Sequence, residues 1–247
     1  MPYKNLITLA VSTLLCFAPA ISKSANGPSA AKLLHDTIQA HGGQRALSCG
    51  SITLDVDATL VDPNGVRCDG RIIVKPRKFR LEYKLSPNHL YRMGYDGSDA
   101  WLIDAPGQKL AKKLDLVQEG IFKFYALVFS TGWLHQLQSS SAGVKYGGRE
   151  TYNGAETEIL QANVDIIGGV DYLIDTRTHL LKALRFNFPG EWQPSYEVAY
   201  DSYFDRDGVR TPGRISIFRD KKHYREYRIR EARLCGEIPD SVFKADA

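Results

Sequence analysis

The sequence predicts an α+β fold, mainly β, in which a curved antiparallel sheet wraps around helices. Two observations carry this reading. Between Ser51 and Lys109 the turn signals Asp62-Pro63-Asn64-Gly65, Pro76, Ser86-Pro87-Asn88, Asp96-Gly97 and Pro106-Gly107 recur at near-even spacing. Their gaps of about nine to twelve residues suit a meander of short strands. From Lys112 to about Gln138 the period changes, and Leu114, Val117, Ile121, Phe124, Tyr125 and Val128 fall at spacings of three and four, as a helical stripe requires.

Ser29 can cap a first helix running to His41, with Leu33, Leu34, Thr37 and Ile38 near one face and Gly42-Gly43 ending it. Gln44 to Leu47 reads as a short turn. In the first strand Ile52, Leu54, Val56, Ala58 and Leu60 share one face, and Ser51, Thr53, Asp55, Asp57 and Thr59 the other. One face therefore meets an apolar partner and the other water. Phe79, Leu81, Tyr83 and Leu85 alternate in the same way with Lys78, Arg80, Glu82 and Lys84.

Phe122, Phe129 and Trp133 make the segment between the meanders apolar beyond a single stripe. Such a helix, or a helix pair broken near Gly120 or Gly132, is buried, and the concave side of the sheet is the place to bury it. Strand signals resume after Ser141. Tyr152-Asn153-Gly154 marks a hairpin, Asp175 to Thr178 a turn, and Pro189-Gly190 with Pro194 a longer loop. Asp205 to Gly208 and Arg219 to Lys222 are further turns, and Ile238-Pro239-Asp240 closes the sheet. No internal repeat interrupts residues 25 to 247, which read as one domain.

Lys4 precedes an apolar run from Leu6 to Ala20, and Ala18-Pro19-Ala20 places small residues at a cleavage site. Residues 1 to 20 read as a signal peptide, with cleavage near Ser24 as a second position and an uncleaved amphipathic anchor as the alternative. Cys16 follows Leu15, whereas lipoprotein processing needs a small residue there. A periplasmic location is expected. Cleavage removes Lys4, leaving about 225 residues, enough for one sizeable core. The formal charge of the whole chain, +4, is too weak to imply nucleic acid.

Of Cys49, Cys68 and Cys235, export permits one disulfide. Cys68 sits in the first hairpin opposite a residue near Thr59, out of reach of Cys49. Cys49 with Cys235 is the favoured pair, and three unpaired buried thiols the alternative.

Catalytic and metal motifs find little support. Asp96, Asp99 and Asp104 cluster around Trp101, but Asp96 before Gly97 reads as a turn former. His35, His41, His89, His135, His179 and His223 are dispersed, without helical ligand spacing, and no Gly-x-Ser-x-Gly elbow exists. No enzyme activity, cofactor or metal is expected. The stretch Arg219 to Arg233 carries seven basic residues, with Tyr224 and Tyr227 interleaved. It could face anionic headgroups, but Asp220, Glu226 and Glu231 make an ordinary solvated strand face the better reading.

Ala40-His41-Gly42-Gly43 with Ala46-Leu47, Tyr95-Asp96-Gly97 before Trp101, Thr151-Tyr152-Asn153-Gly154 and Ile174-Asp175-Thr176-Arg177-Thr178 together resemble the exported lipoprotein-sorting, LolA/LolB-like family. The ending is similar too: Tyr200, Asp205 to Gly208, Pro212, then Ile238-Pro239-Asp240-Ser241-Val242-Phe243. The resemblance implies an incomplete barrel with helices in its mouth and an apolar cavity for acyl chains. It also implies an arginine inside the barrel, which no motif here places.

By strand phase and helix stripe the cavity residues are Leu54, Val56, Phe79, Leu81 and Tyr83 from the sheet, and Ile121, Phe122, Tyr125 and Phe129 from the helix. Burial of an acyl chain is favourable by about 0.8 kcal/mol per methylene, so a dry pocket can carry a lipid through water. A lipid or lipoprotein acyl chain is the expected partner of a monomer, with a periplasmic or outer-membrane protein as a second kind of partner. The alternatives are an interaction or sensor module whose cavity is filled by its own side chains and, least supported, a hydrolase.

Overall fold

The computed structural model describes residues 28–61, 65–104, 112–113, 116–140, 143–164, 167–187 and 194–245; for 112–113, 116–119 and 121 it describes backbone alone. The expected signal segment, the turn residues Asp62, Pro63, Asn64, Pro106, Gly107, Pro189 and Gly190, and the side chains of Leu114, Val117 and Ile121 lie outside the described residues.

Ser29 opens α1 (Ala30–Ala40) by accepting a hydrogen bond from the Lys32 amide at 3.2 Å, satisfying one of the unpaired donors at a helix start. Leu33, Leu34, Thr37 and Ile38 face inward. The chain leaves α1 through Gly42 at φ 117°. The turn expected over Gln44 to Leu47 is instead a short helix, α2 (Gly43–Ser48).

The first meander comprises β1 (Ile52–Leu60), β2 (Val66–Lys75), β3 (Lys78–Ser86), β4 (His89–Tyr95) and β5 (Ala100–Ile103). Lys112 begins not the expected helix but β6 (Lys112–Lys113), which pairs back onto β5. The helical stripe runs through α3 (Leu116–Val128) and, after a break, α4 (Gly132–Ser139). Ser130 makes the break: its hydroxyl donates to the Ala126 carbonyl at 2.7 Å and accepts from the Gly132 amide at 2.9 Å, competing with the helical ladder.

The second meander is β7 (Lys145–Tyr152), β8 (Ala155–Val164), β9 (Gly168–Asp175), β10 (Leu181–Asn187) and β11 (Ser195–Asp201). A small separate hairpin follows, β12 (Phe204–Arg206) with β13 (Val209–Thr211), then β14 (Arg214–Arg219) and β15 (Lys222–Leu234).

Thirteen strands make one antiparallel sheet in the order β6-β5-β4-β3-β2-β1-β15-β14-β11-β10-β9-β8-β7. Pairing of β1 with β15 joins the two meanders. β6 and β7 end the sheet, so the barrel is incomplete. Its curvature shows in α3, where Tyr125 stacks on Phe79 of β3 and its neighbour Phe124 packs against Phe186 of β10, ring centroids 4.5 Å apart. Adjacent residues of one helix thus touch opposite arms of the sheet. Cys49, just before β1, and Cys235, just after β15, form a disulfide. Cys68 is unpaired and lies opposite Ala58.

The outer face holds a second packing site. The Trp101 indole donates to the Phe243 carbonyl at 2.7 Å, and the Arg80 guanidinium lies over the same indole and donates to the Val242 carbonyl at 2.7 Å. The closing segment ends in a short 3-10 turn (Asp240–Phe243) that lies on β3. Arg80 therefore sits on the outward phase, as alternation predicts, yet it is buried.

Candidate functional site

The concave face is where the apolar phases of the strands meet the helices. Leu54, Val56, Phe79, Leu81 and Tyr83 are buried there, together with Phe122, Tyr125 and Phe129. The Phe79 ring centroid stands 5.5 Å from Tyr125, 6.2 Å from Phe129 and 6.4 Å from Phe122. The backbone of Ile121 lies in α3, one residue before Phe122, and its side chain is outside the described residues. Apart from Ile121, the expected residues are buried on one face, where Phe79 meets Phe122, Tyr125 and Phe129 and these rings fill the space rather than line a chamber. A small space of about 30 Å³ lies beside His41, Leu54, Phe129, Trp133 and Tyr200, room for about one water.

Polar ties fix α3 to this wall. Tyr200 donates to the Val128 carbonyl at 3.2 Å, and within the wall itself the Tyr83 hydroxyl of β3 meets the Tyr227 hydroxyl of β15 at 2.6 Å. Burial pushes the phenols of Tyr83, Tyr125 and Tyr200 well above their ordinary range, so they stay neutral. From β15, Arg225 donates to the Tyr125 hydroxyl at 2.9 Å and to the Tyr224 hydroxyl at 3.1 Å, its guanidinium 4.7 Å from the Tyr224 ring centre. Among the described residues no carboxylate pairs with it.

Arg225 corrects the reading of Arg219 to Arg233 as one solvated face. Arg228 pairs with Glu226, Arg230 with Asp57 and Asp69, and Arg233 with Asp55 and Glu231, all on the outer face. Register shifts at Asp55/Val56 and at Ile217/Phe218 break the alternation of β15, since a bulge shifts every later side chain by one face. Between them Arg225 shares the inward phase with Tyr227, which pairs with Ala58. Its place in the alternation Arg225, Tyr227, Ile229 was the available signal.

An apolar-floored cleft of about 810 Å³ lies beside this plug. It opens where β1 begins, between the β2–β3 turn, α3 and α4, and the β8–β9 connection; Ile52, Val74, Ala126, Leu127, Val164 and Ile167 supply its apolar surface. A groove of about 780 Å³ on the outer face is lined instead by residues such as Asp57, Arg67, Asp69, Lys84, Glu226 and Arg228. That mixed-charge lining is ordinary solvated surface.

Candidate catalytic groups have structural partners. Asp96 Oδ1 accepts from the amides of Ser98 and Asp99 at 2.9 and 2.8 Å, the geometry of a turn former. Burial pushes the Cys68 thiol up to about 11, which leaves it protonated and unreactive. His41 is a packing group: its Nδ1 lies 2.9 Å from the Thr37 carbonyl, and its Nε2 accepts from the Leu181 amide at 3.4 Å. Its ring meets Trp133 edge-on at 4.9 Å. Next to it, a Cβ on Gly42 would stand 2.3 Å from the Gly208 carbonyl oxygen. The His41-Gly42 pair thus seats the β12–β13 hairpin against α1, which accounts for that motif without chemistry.

No family model matches the sequence, and no curated protein matches it. Solved structures do. A LolA superfamily protein from Nitrosomonas europaea superposes with a TM-score of 0.58 at 11% identity, covering 88% of this chain and 98% of that one. The fold is LolA-like. A domain assigned to outer membrane lipoprotein sorting in Vibrio parahaemolyticus gives 0.58 at 11% identity, over 87% of this chain and 97% of that one. A DUF1329 family protein from Desulfovibrio piger gives 0.58 at 10% identity, over 88% and 98%. The likeness to these chains is one of fold. Among those residues no helix is long and apolar enough to cross a membrane.

Proposed function

We propose that this protein is a non-enzymatic carrier or binding protein of the periplasm, holding a lipid or acyl chain against the concave face of its half-barrel. One observation carries the reading: the apolar wall is covered by a separate helical segment, α3 and α4, and an apolar-floored cleft opens at the flank of that segment. A plug that shares its interface with a cleft can move aside and let a chain replace its aromatic contacts, at about 0.8 kcal/mol per methylene buried. The name of the Vibrio relative, assigned to lipoprotein sorting, supports the same class of cargo, and the apolar run before Ala20 supports export. The test is mass spectrometry of lipids extracted from natively purified protein, together with binding of a fluorescent fatty acid. A stoichiometric lipid or saturable binding is expected; the absence of both would overturn the proposal.

A second reading has its own observation. Phe79, Phe122, Tyr125 and Phe129 already fill the concave space, as an interaction or sensor module with no cargo would require. Protein that carries no lipid and binds no fatty acid, yet retains a partner in cross-linking from the periplasm, would establish that reading instead.

A further inference from the structure

Arg225 stands on the inner face of the sheet, half-buried and without a counter-charge among the described residues. Its cross-strand neighbours, Leu60 on β1 and Ile217 on β14, are apolar. Arg228 and Arg233 of the same strand each pair with a carboxylate. The Arg225 guanidinium has instead two phenol oxygens, those of Tyr125 and Tyr224, with the rings of the same residues 5.8 and 4.7 Å from its centre. Phenols are neutral, and two bonds engage two of the five N–H donors of a guanidinium. A cation drawn away from water is best stabilised by an opposite charge.

One of the two acceptors can leave. Tyr125 belongs to α3, whereas Arg225 and Tyr224 belong to β15. If α3 moves aside for an acyl chain, the guanidinium loses the Tyr125 hydroxyl and keeps its charge. A neutral oxygen in that place exchanges one dipole for another, whereas an anionic head forms a charge-assisted pair and offers two oxygens to paired donors. We propose that Arg225 is a head-group site, where the carboxylate or phosphate of an anionic amphiphile replaces the Tyr125 hydroxyl while its chain lies on the wall of Phe79, Leu81 and Tyr227. The inference rests on the lipid-binding reading and specifies the head of the ligand and the residue that selects it.

The purified protein is titrated, where the acids are ionised, with a pyrene-labelled fatty acid and its methyl ester, and with a pyrene-labelled phosphatidic acid and the diacylglycerol of the same chains. The anionic member of at least one pair should bind about tenfold tighter, as one added charge-assisted contact gives. The pair that shows the preference identifies the head. Arg225→Met, an unbranched apolar side chain that suits Leu60 and Ile217, should bring the members of that pair within about twofold of each other. Tyr125→Phe cuts the same tie to α3 but keeps the charge, so the preference should remain. An arginine that only held α3 in place would shift both members of a pair alike, and melting temperatures check that each variant folds. Equal binding within both pairs by the unaltered protein, or a preference that survives in folded Arg225→Met, overturns the inference and leaves the carrier reading standing. Failure of all four probes to bind overturns the carrier reading itself.

Discussion

Arg225 on β15 donates a hydrogen bond to the Tyr125 hydroxyl on α3 at 2.9 Å, tying the sheet to the helix that covers it. Tyr125→Phe keeps the stacking on Phe79 and removes only this acceptor. A hydrogen bond to a charged group contributes about 1.5–3 kcal/mol; at this half-buried arginine the lower end applies. Urea unfolding should show a loss of about 1.5 kcal/mol, and stopped-flow mixing should show faster uptake of a fluorescent fatty acid as α3 loosens. Unchanged stability and uptake would mean the link does not hold the plug.

Phe129 touches Phe79, Tyr125 and Tyr227. Phe129→Ala should cost about 3–5 kcal/mol and leave an apolar void. Such a void stays dry and accepts apolar guests, so a fatty acid should raise the melting temperature of the variant by more than that of the unaltered protein. Equal shifts in the two proteins would place the chain elsewhere.

Burial lowers His41 from its ordinary value of 6.5 to about 4, so the folded protein holds it neutral. Between those values the unfolded chain binds a proton that the folded protein excludes, and stability falls as pH drops through that window. The loss reaches about 3 kcal/mol near the lower value. Urea midpoints at pH 7 and near pH 4.5 should show it, and His41→Asn, which cannot titrate, should show a smaller fall over the same interval. Parallel falls would assign the acid sensitivity to other groups.

Gly42→Ala places a methyl 2.3 Å from the Gly208 carbonyl oxygen at a backbone φ of 117°. Both features oppose a side chain, so a loss of about 2 kcal/mol or more is expected in chemical denaturation. Hydrogen exchange should place the loosening in the β12–β13 hairpin. An unaffected midpoint would show that the hairpin docks with slack.

Much of the fold is legible in residues that act locally. The Ser29 cap, the Asn153-Gly154 turn, with φ of 47° and 78°, and the alternation of Ile52, Leu54, Val56 and Ala58 each follow from backbone preference or from period two. Lys112 reads as helix because a two-residue strand has no period, and its pairing with β5 depends on a neighbour distant in sequence. Arg80 carries an outward phase correctly, but only the closing segment over Trp101 buries it.

The sequence by itself determined the antiparallel sheet, the buried helix between its two meanders and the set of aromatic residues that meet on the concave face. Tertiary structure alone decided that those aromatics pack against one another, that Arg225 turns inward, and that an apolar-floored cleft opens beside α3. The reason is physical. Local periodicity assigns a side chain to a face, whereas occupancy of a cavity, the phase beyond a bulge and the opening of a cleft arise where segments far apart in the chain come together.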